Sequence, residues 1–122
     1  MKQEEALYPM EVPCEKEKEM YGRMLECDGS SGDAELERRI AGIMQEAFNI
    51  FKQRQRKYGK KNISQFGSTG VVVRSYDKLA RLGRFYVEGE KDQFGDEAIS
   101  DTWLDALNYA AIGLCCERKE WD

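Results

Sequence analysis

The apolar positions of the chain repeat mainly at helical spacing. Leu36, Ile40, Ile43, Met44, Ala47, Ile50 and Phe51 recur in steps that place them on one helical face. Ser31 or Asp33 can accept backbone N–H bonds left free at the start of this first helix. Lys52, Arg54, Arg56 and Lys57 crowd its last turns, where the helix dipole favours cations, and Gly59 suits a C-terminal cap. A second helix is predicted over about 70–86, with Val71, Val72, Tyr76, Leu79, Ala80, Leu82 and Phe85 facing a core. The β-branched run at 71–73 favours a strand by composition. The strong helix formers of "DKLARL" and the face spacing outweigh it, although Gly83 weakens the helix end. A third helix is predicted over about 96–118, with Ile99, Trp103, Leu104, Leu107, Ala111 and Leu114 as its stripe. "KKNISQFGSTG" (60–70) and "EGEKDQFGD" (88–96) read as loops. Three substantial helices without a convincing strand predict an all-α domain.

Residues 1–32 are less regular and read as an N-terminal arm before a helical domain at 33–122. Glu15 to Cys27 can form a short helix with Met20, Met24 and Leu25 inward, and "DGSSGD" is a linker. The length of 122 residues fits one domain with a real core. The net charge of −4 argues against a general nucleic-acid binder. No apolar run is long enough to span a membrane. The start lacks the basic-then-apolar order of a signal peptide, so a cytosolic protein is expected. Cys14, Cys27, Cys115 and Cys116 do not have zinc-site spacing and read as reduced thiols. The chain has no histidine, which removes Ser-His-Asp and Cys-His chemistry. Any bound metal would need oxygen ligands, which points to Mg²⁺ or Mn²⁺.

The third helix poses an electrostatic problem. In "DEAISDTWLDALNYA", Glu97, Asp101 and Asp105 lie four residues apart, and Asn108 extends their line. Like charges at that spacing repel. The line borders Trp103, Leu104 and Leu107, so Asp105 should be half buried, and a buried carboxylate needs a partner or stays protonated. A divalent metal is one answer; basic side chains from a neighbouring helix, or a solvated salt-bridged face, are the other. On spacing alone the salt-bridged face is the commoner outcome. The second helix offers Arg74, Lys78 and Arg81 in a stripe, with Asp77 beside them. They read equally well as partners for the acids or as a phosphate clamp with Asp77 as a further metal ligand. The basic run "KQRQRKYGKK" can steer an anion or bind nucleic acid, but a solvated helix end is its commoner meaning.

Taken in order, "KYGKKN", "VVVRSYDKLARL" and "DEAISDTWLDALNYA" resemble the nucleotide-modification-associated family, a phage and bacterial family that looks related to the all-α MazG-like nucleotide pyrophosphohydrolases. The matched positions include Tyr58, Gly59, Asn62, Arg74, Asp77, Lys78, Arg81, Leu82, Glu97, Asp101, Thr102, Asp105, Asn108 and Tyr109, within about residues 45–115. The resemblance implies an oligomeric MazG-like helical bundle, a homodimer or homotetramer. It would use Mg²⁺, with Mn²⁺ as an alternative, to cleave a nucleoside triphosphate to the monophosphate and pyrophosphate. A deoxynucleotide is the implied substrate, since some phage proteins of the wider superfamily act on dATP and dGTP.

On this reading Asp77, Glu97, Asp101 and Asp105 hold metal, with Glu46 as a candidate additional ligand. Glu46 or Glu97 takes the proton of the attacking water. Arg74, Lys78 and Arg81 bind phosphates, Lys78 also serving the chemistry. Asn62, Asn108 and Tyr109 contact base and sugar. The sequence departs from the MazG pattern on the second helix, where Asp77 stands alone among the expected acids, and at Asn49 and Lys57, where acids are common. These departures favour an alternative, a non-catalytic nucleotide- or partner-binding module on the same fold.

Overall fold

The computed structural model describes residues 29–89 and 98–122. Four helices follow in order: α1 (Ala34–Tyr58), α2 (Lys61–Ser64), α3 (Gly67–Tyr86) and α4 (Ile99–Glu117). No strand occurs among the described residues, so the fold is all-α, as the apolar periodicity predicts. The short helix expected at Glu15–Cys27 lies outside the described residues, as do Cys14 and Glu97. No helix among the described residues is long and apolar enough to cross a membrane.

Local chemistry sets the helix ends. The Asp33 carboxylate accepts the Leu36 backbone N–H at 3.1 Å, the capping bond anticipated from its position. Gly59 has φ 74° and its N–H donates to the Gln55 carbonyl at 2.9 Å. That left-handed conformation carries a steric cost for any residue with a Cβ, so glycine closes α1. The loop expected at 60–70 is largely helical. Its first half forms the single turn α2, and "GSTG" opens α3 three residues before the expected start. Gly67, with φ 60°, makes the junction. Gly70 is required by packing, because a Cβ there would lie 2.6 Å from Phe66 Cβ.

The chain divides into two compact units between Glu46 and Ala47, within the continuous helix α1. In the first unit Ala41 is buried, whereas Leu36, Ile40, Ile43 and Met44, expected on a core face, are exposed. In the second unit the core is made by Ala47, Ile63, Val71, Leu82 and Leu104. There α3 packs along α4, and α2 packs against α3.

The buried faces of α3 and α4 match the expected stripes only in part: Val71, Leu82 and Leu104 are buried as expected. Val71 and Leu82 turn inward on α3, while Val72, Tyr76 and Leu79 are exposed. On α4, Trp103 and Leu114 are exposed, and Thr102, Leu104 and Asp105 are the buried residues. Thr102 is fully buried and Asp105 only 4% exposed. Two polar residues of α4, Thr102 and Asp105, thus turn inward beside Leu104. Apolar count alone misplaces the face because a carboxylate with partners can be buried more readily than an unpaired one.

The two small residues test this packing in opposite directions. Gly113 stands on α4 with room for a Cβ, which would sit 3.5 Å from Val71 Cγ1 in ordinary contact. Gly113→Ala should raise stability by up to about 1 kcal/mol through helix propensity. Gly70→Ala should lower it, since Phe66 must move. Urea denaturation of the two variants checks both signs.

Candidate functional site

Asp105 is the charged centre of the second unit. Its Oδ1 accepts a hydrogen bond from Arg54 Nη1 on α1 at 2.6 Å, and its Oδ2 meets Lys78 Nζ on α3 at 3.0 Å. Burial alone would raise its pKa. The hydrogen bonds and positive charges of Lys78 and Arg54 outweigh that and hold the carboxyl below its usual value of 3.8. One turn further along α4, Asn108 Nδ2 donates to the Ala47 carbonyl at 3.0 Å. Asp105 and Asn108 therefore anchor α4 to the C-terminal half of α1, and Lys78 brings in α3.

Beside this cluster lies an open cleft of about 670 Å³. Arg54, Lys57 and Arg74 reach it from α1 and α3, and Asp105 is its acidic member. Phe51, Tyr58, Tyr109 and Trp121 supply ring surface. Asn62 also lines it, and its Oδ1 is buried without a hydrogen-bond partner. The wall containing Trp121 follows from the end of α4. Lys119 takes a left-handed conformation, φ 58°, and turns the chain back. Trp121 Nε1 then donates to the Lys60 carbonyl at 3.2 Å, and Ser64 Oγ donates to Asp122 Oδ1 at 2.6 Å. The Trp121 ring meets Phe51 edge-on at 6.2 Å.

Five sequence-derived candidates, Asn62, Arg74, Asp105, Asn108 and Tyr109, come together in this cleft. Lys78 is bound to Asp105 rather than lining the cleft. Arg81 is half-buried on α3 and is not among the lining residues. Asp77 and Asp101 are exposed outside it, and Glu46 is exposed on α1 in the first unit. The sequence reading missed Arg54, Lys57, Phe51 and Trp121 as cleft residues. The basic run signalled an anion site, but no spacing rule brings residue 121 next to residue 51.

Both oxygens of Asp105 are engaged by cations. Among the described residues no three His, Cys, Asp or Glu side chains gather where they could hold a metal. The described carboxylates therefore do not by themselves fit a Mg²⁺ site. What the arrangement offers chemically is cationic hydrogen-bond donors beside aromatic faces, a combination suited to an anionic ligand with a planar ring. Comparison with known families, curated proteins and solved structures gives no match to this chain.

A carboxyl depressed in the folded state contributes stability that is complete above its unfolded pKa and is lost as pH falls through the folded value. Asp105→Asn should cost about 2–3 kcal/mol near neutral pH, less than a fully buried pair because Arg54 is half exposed. The gap between wild type and variant should close as pH falls below the ordinary aspartate value of 3.8. Urea titrations across that range check it. A gap independent of pH would contradict the ion-pair account.

Proposed function

We propose that the cleft binds a (deoxy)nucleoside triphosphate and that the protein hydrolyses it to the monophosphate and pyrophosphate. The observation that carries this reading is the convergence of Arg54, Lys57 and Arg74 with the rings of Tyr58 and Tyr109 around one opening. The guanidinium groups of Arg54 and Arg74 suit phosphate oxygens, which they can bind in a fork. The aromatic faces suit a base, by stacking that is worth about 1–3 kcal/mol per base in nucleic-acid binders. Asn62, with an unused buried carbonyl oxygen, is a hydrogen-bond acceptor for a base or sugar group.

In this reading Mg²⁺ enters as the counter-ion of the triphosphate, since Mg²⁺ is commonly held by substrate phosphates and only one or two carboxylates. The chain's own part is to fix the phosphates with Arg54, Lys57 and Arg74 and to orient the nucleoside between rings. Charge that develops on the leaving pyrophosphate is then met by donors already in place. The resemblance to MazG-like enzymes supplies the reaction; the cleft supplies a place for the ligand.

A second reading is a binding module without turnover. The two ion pairs of Asp105 favour it, because they leave that carboxylate committed to structure.

Incubation with each NTP and dNTP, with Mg²⁺ or Mn²⁺, separates the two. Monophosphate and pyrophosphate from at least one nucleotide are expected. Binding without products across the panel would establish the second reading instead. Arg74→Ala should weaken nucleotide binding by about tenfold or more, equivalent to about 1.4 kcal/mol, with helical content unchanged. Calorimetric titration measures this.

A further inference from the structure

The turn after α4 does more than end the helix. Lys119 N–H donates to the Cys116 carbonyl at 3.0 Å, and Glu120 N–H donates to the Cys115 carbonyl at 2.9 Å. This pair of bonds makes a helix cap around one left-handed residue, a position most often filled by glycine. Here Lys119 fills it with φ 58°, the one left-handed residue with a side chain among the described residues. A Cβ makes that conformation costly, so surrounding structure has to hold it. Three contacts beyond the turn do so. Trp121 Nε1 donates to the Lys60 carbonyl at 3.2 Å, the indole meets Phe51 edge-on, and Ser64 Oγ donates to Asp122 Oδ1 at 2.6 Å. The result is an indole fixed in the wall of the cleft and still only half-buried there.

Other rings of the cleft are partly committed. Phe51 stacks on Phe48, with 6.3 Å between centroids and 9° between planes. Lys57 Nζ lies over the Tyr58 ring, 5.3 Å from its centroid. Tyr109 stands one turn along α4 from Asp105 and its cations. Trp121 has the largest ring system of the set, and its polar edge is already satisfied by Lys60. A planar group laid against the indole breaks no hydrogen bond. Two residues along from Lys60, Asn62 brings its unpartnered buried Oδ1 to the same cleft. A ring face and an edge acceptor thus come from adjoining pieces of structure.

We propose that Trp121 is the platform on which the base of the bound nucleotide stacks. This inference rests on the nucleotide reading of the cleft and adds which residue meets the ring. Arg54, Lys57 and Arg74 hold the phosphates, and Trp121 holds the base. Stacking on an aromatic side chain accepts any base, because every base has a π-face. The indole therefore contributes affinity for the ringed part of the ligand and none for its phosphates.

Calorimetric titration of the full chain tests this, with each NTP and dNTP and with inorganic tripolyphosphate, which has the phosphates and no ring. All titrations contain Mg²⁺. Trp121→Ala should weaken the tightest-binding nucleotide by about tenfold or more. Its affinity for tripolyphosphate should match that of the wild type. Trp121→Phe, which keeps a ring but loses the Lys60 bond, should bind the nucleotide more tightly than Trp121→Ala. Equal weakening of nucleotide and tripolyphosphate would make Trp121 a wall of the cleft and overturn the proposal, while the nucleotide reading stood. So would a Trp121→Phe variant as weak as Trp121→Ala, or nucleotide affinity that Trp121→Ala leaves unchanged. A wild type that binds no nucleotide would remove the nucleotide reading and this inference with it.

Discussion

The architecture of the second unit depends on one buried carboxylate. Asp105 is held between Arg54 of α1 and Lys78 of α3. These partners come from residues far from it in sequence, so the contact fixes three helices at once. A fully buried ion pair need not be more stabilising than apolar packing, but removing one member leaves charge without a partner. Arg54 is half exposed, which softens its own desolvation, whereas Lys78 is largely buried and depends more on Asp105. The interaction thus contributes more to the placement of the helices than to stability as such.

That placement creates the cleft. With α4 anchored at Asp105 and Asn108, Tyr109 on the same helix and Arg74 on α3 reach one opening. Gly59 ends α1 so that the chain can turn into α2, which presents Asn62. The turn at Lys119 brings Trp121 back against Phe51 and the Lys60 carbonyl. Structure and candidate function therefore share residues: Arg54 both pairs with Asp105 and faces the cleft. An anion entering there would compete with Asp105 for that guanidinium, which links ligand binding to the carboxylate's own environment.

The helical class and most helix positions were legible in the sequence, because caps such as Asp33 and Gly59 act through local chemistry. The buried faces were less so. On α4 the expected stripe holds for Leu104 but not for Trp103 and Leu114, which are exposed, while Thr102 and Asp105 are buried. The interior accepts Asp105 because Arg54 and Lys78 approach from elsewhere, and helical periodicity carries no record of a distant partner. Basic partners for the acidic line were one of two readings left open by spacing, and Asp105 follows it. Glycines in "GSTG" suggested a loop, but Gly70 lies within α3, where Phe66 leaves no room for a Cβ. Residues 62, 74, 105, 108 and 109 were legible as a set through a family resemblance, whereas Trp121 depends on a tertiary turn.

The central claim is that the cleft receives a nucleoside triphosphate. The chain has two tryptophans; Trp121 lines the cleft, while Trp103 is engaged with the Tyr86 hydroxyl outside it. In a Trp103→Phe variant, tryptophan emission reports on Trp121 alone. Titration with each NTP and dNTP in the presence of Mg²⁺ should give a saturable change in that emission for at least one nucleotide, diminished by Arg74→Ala. Emission that stays constant with every nucleotide into the millimolar range, together with no heat of binding by calorimetry, would contradict the account.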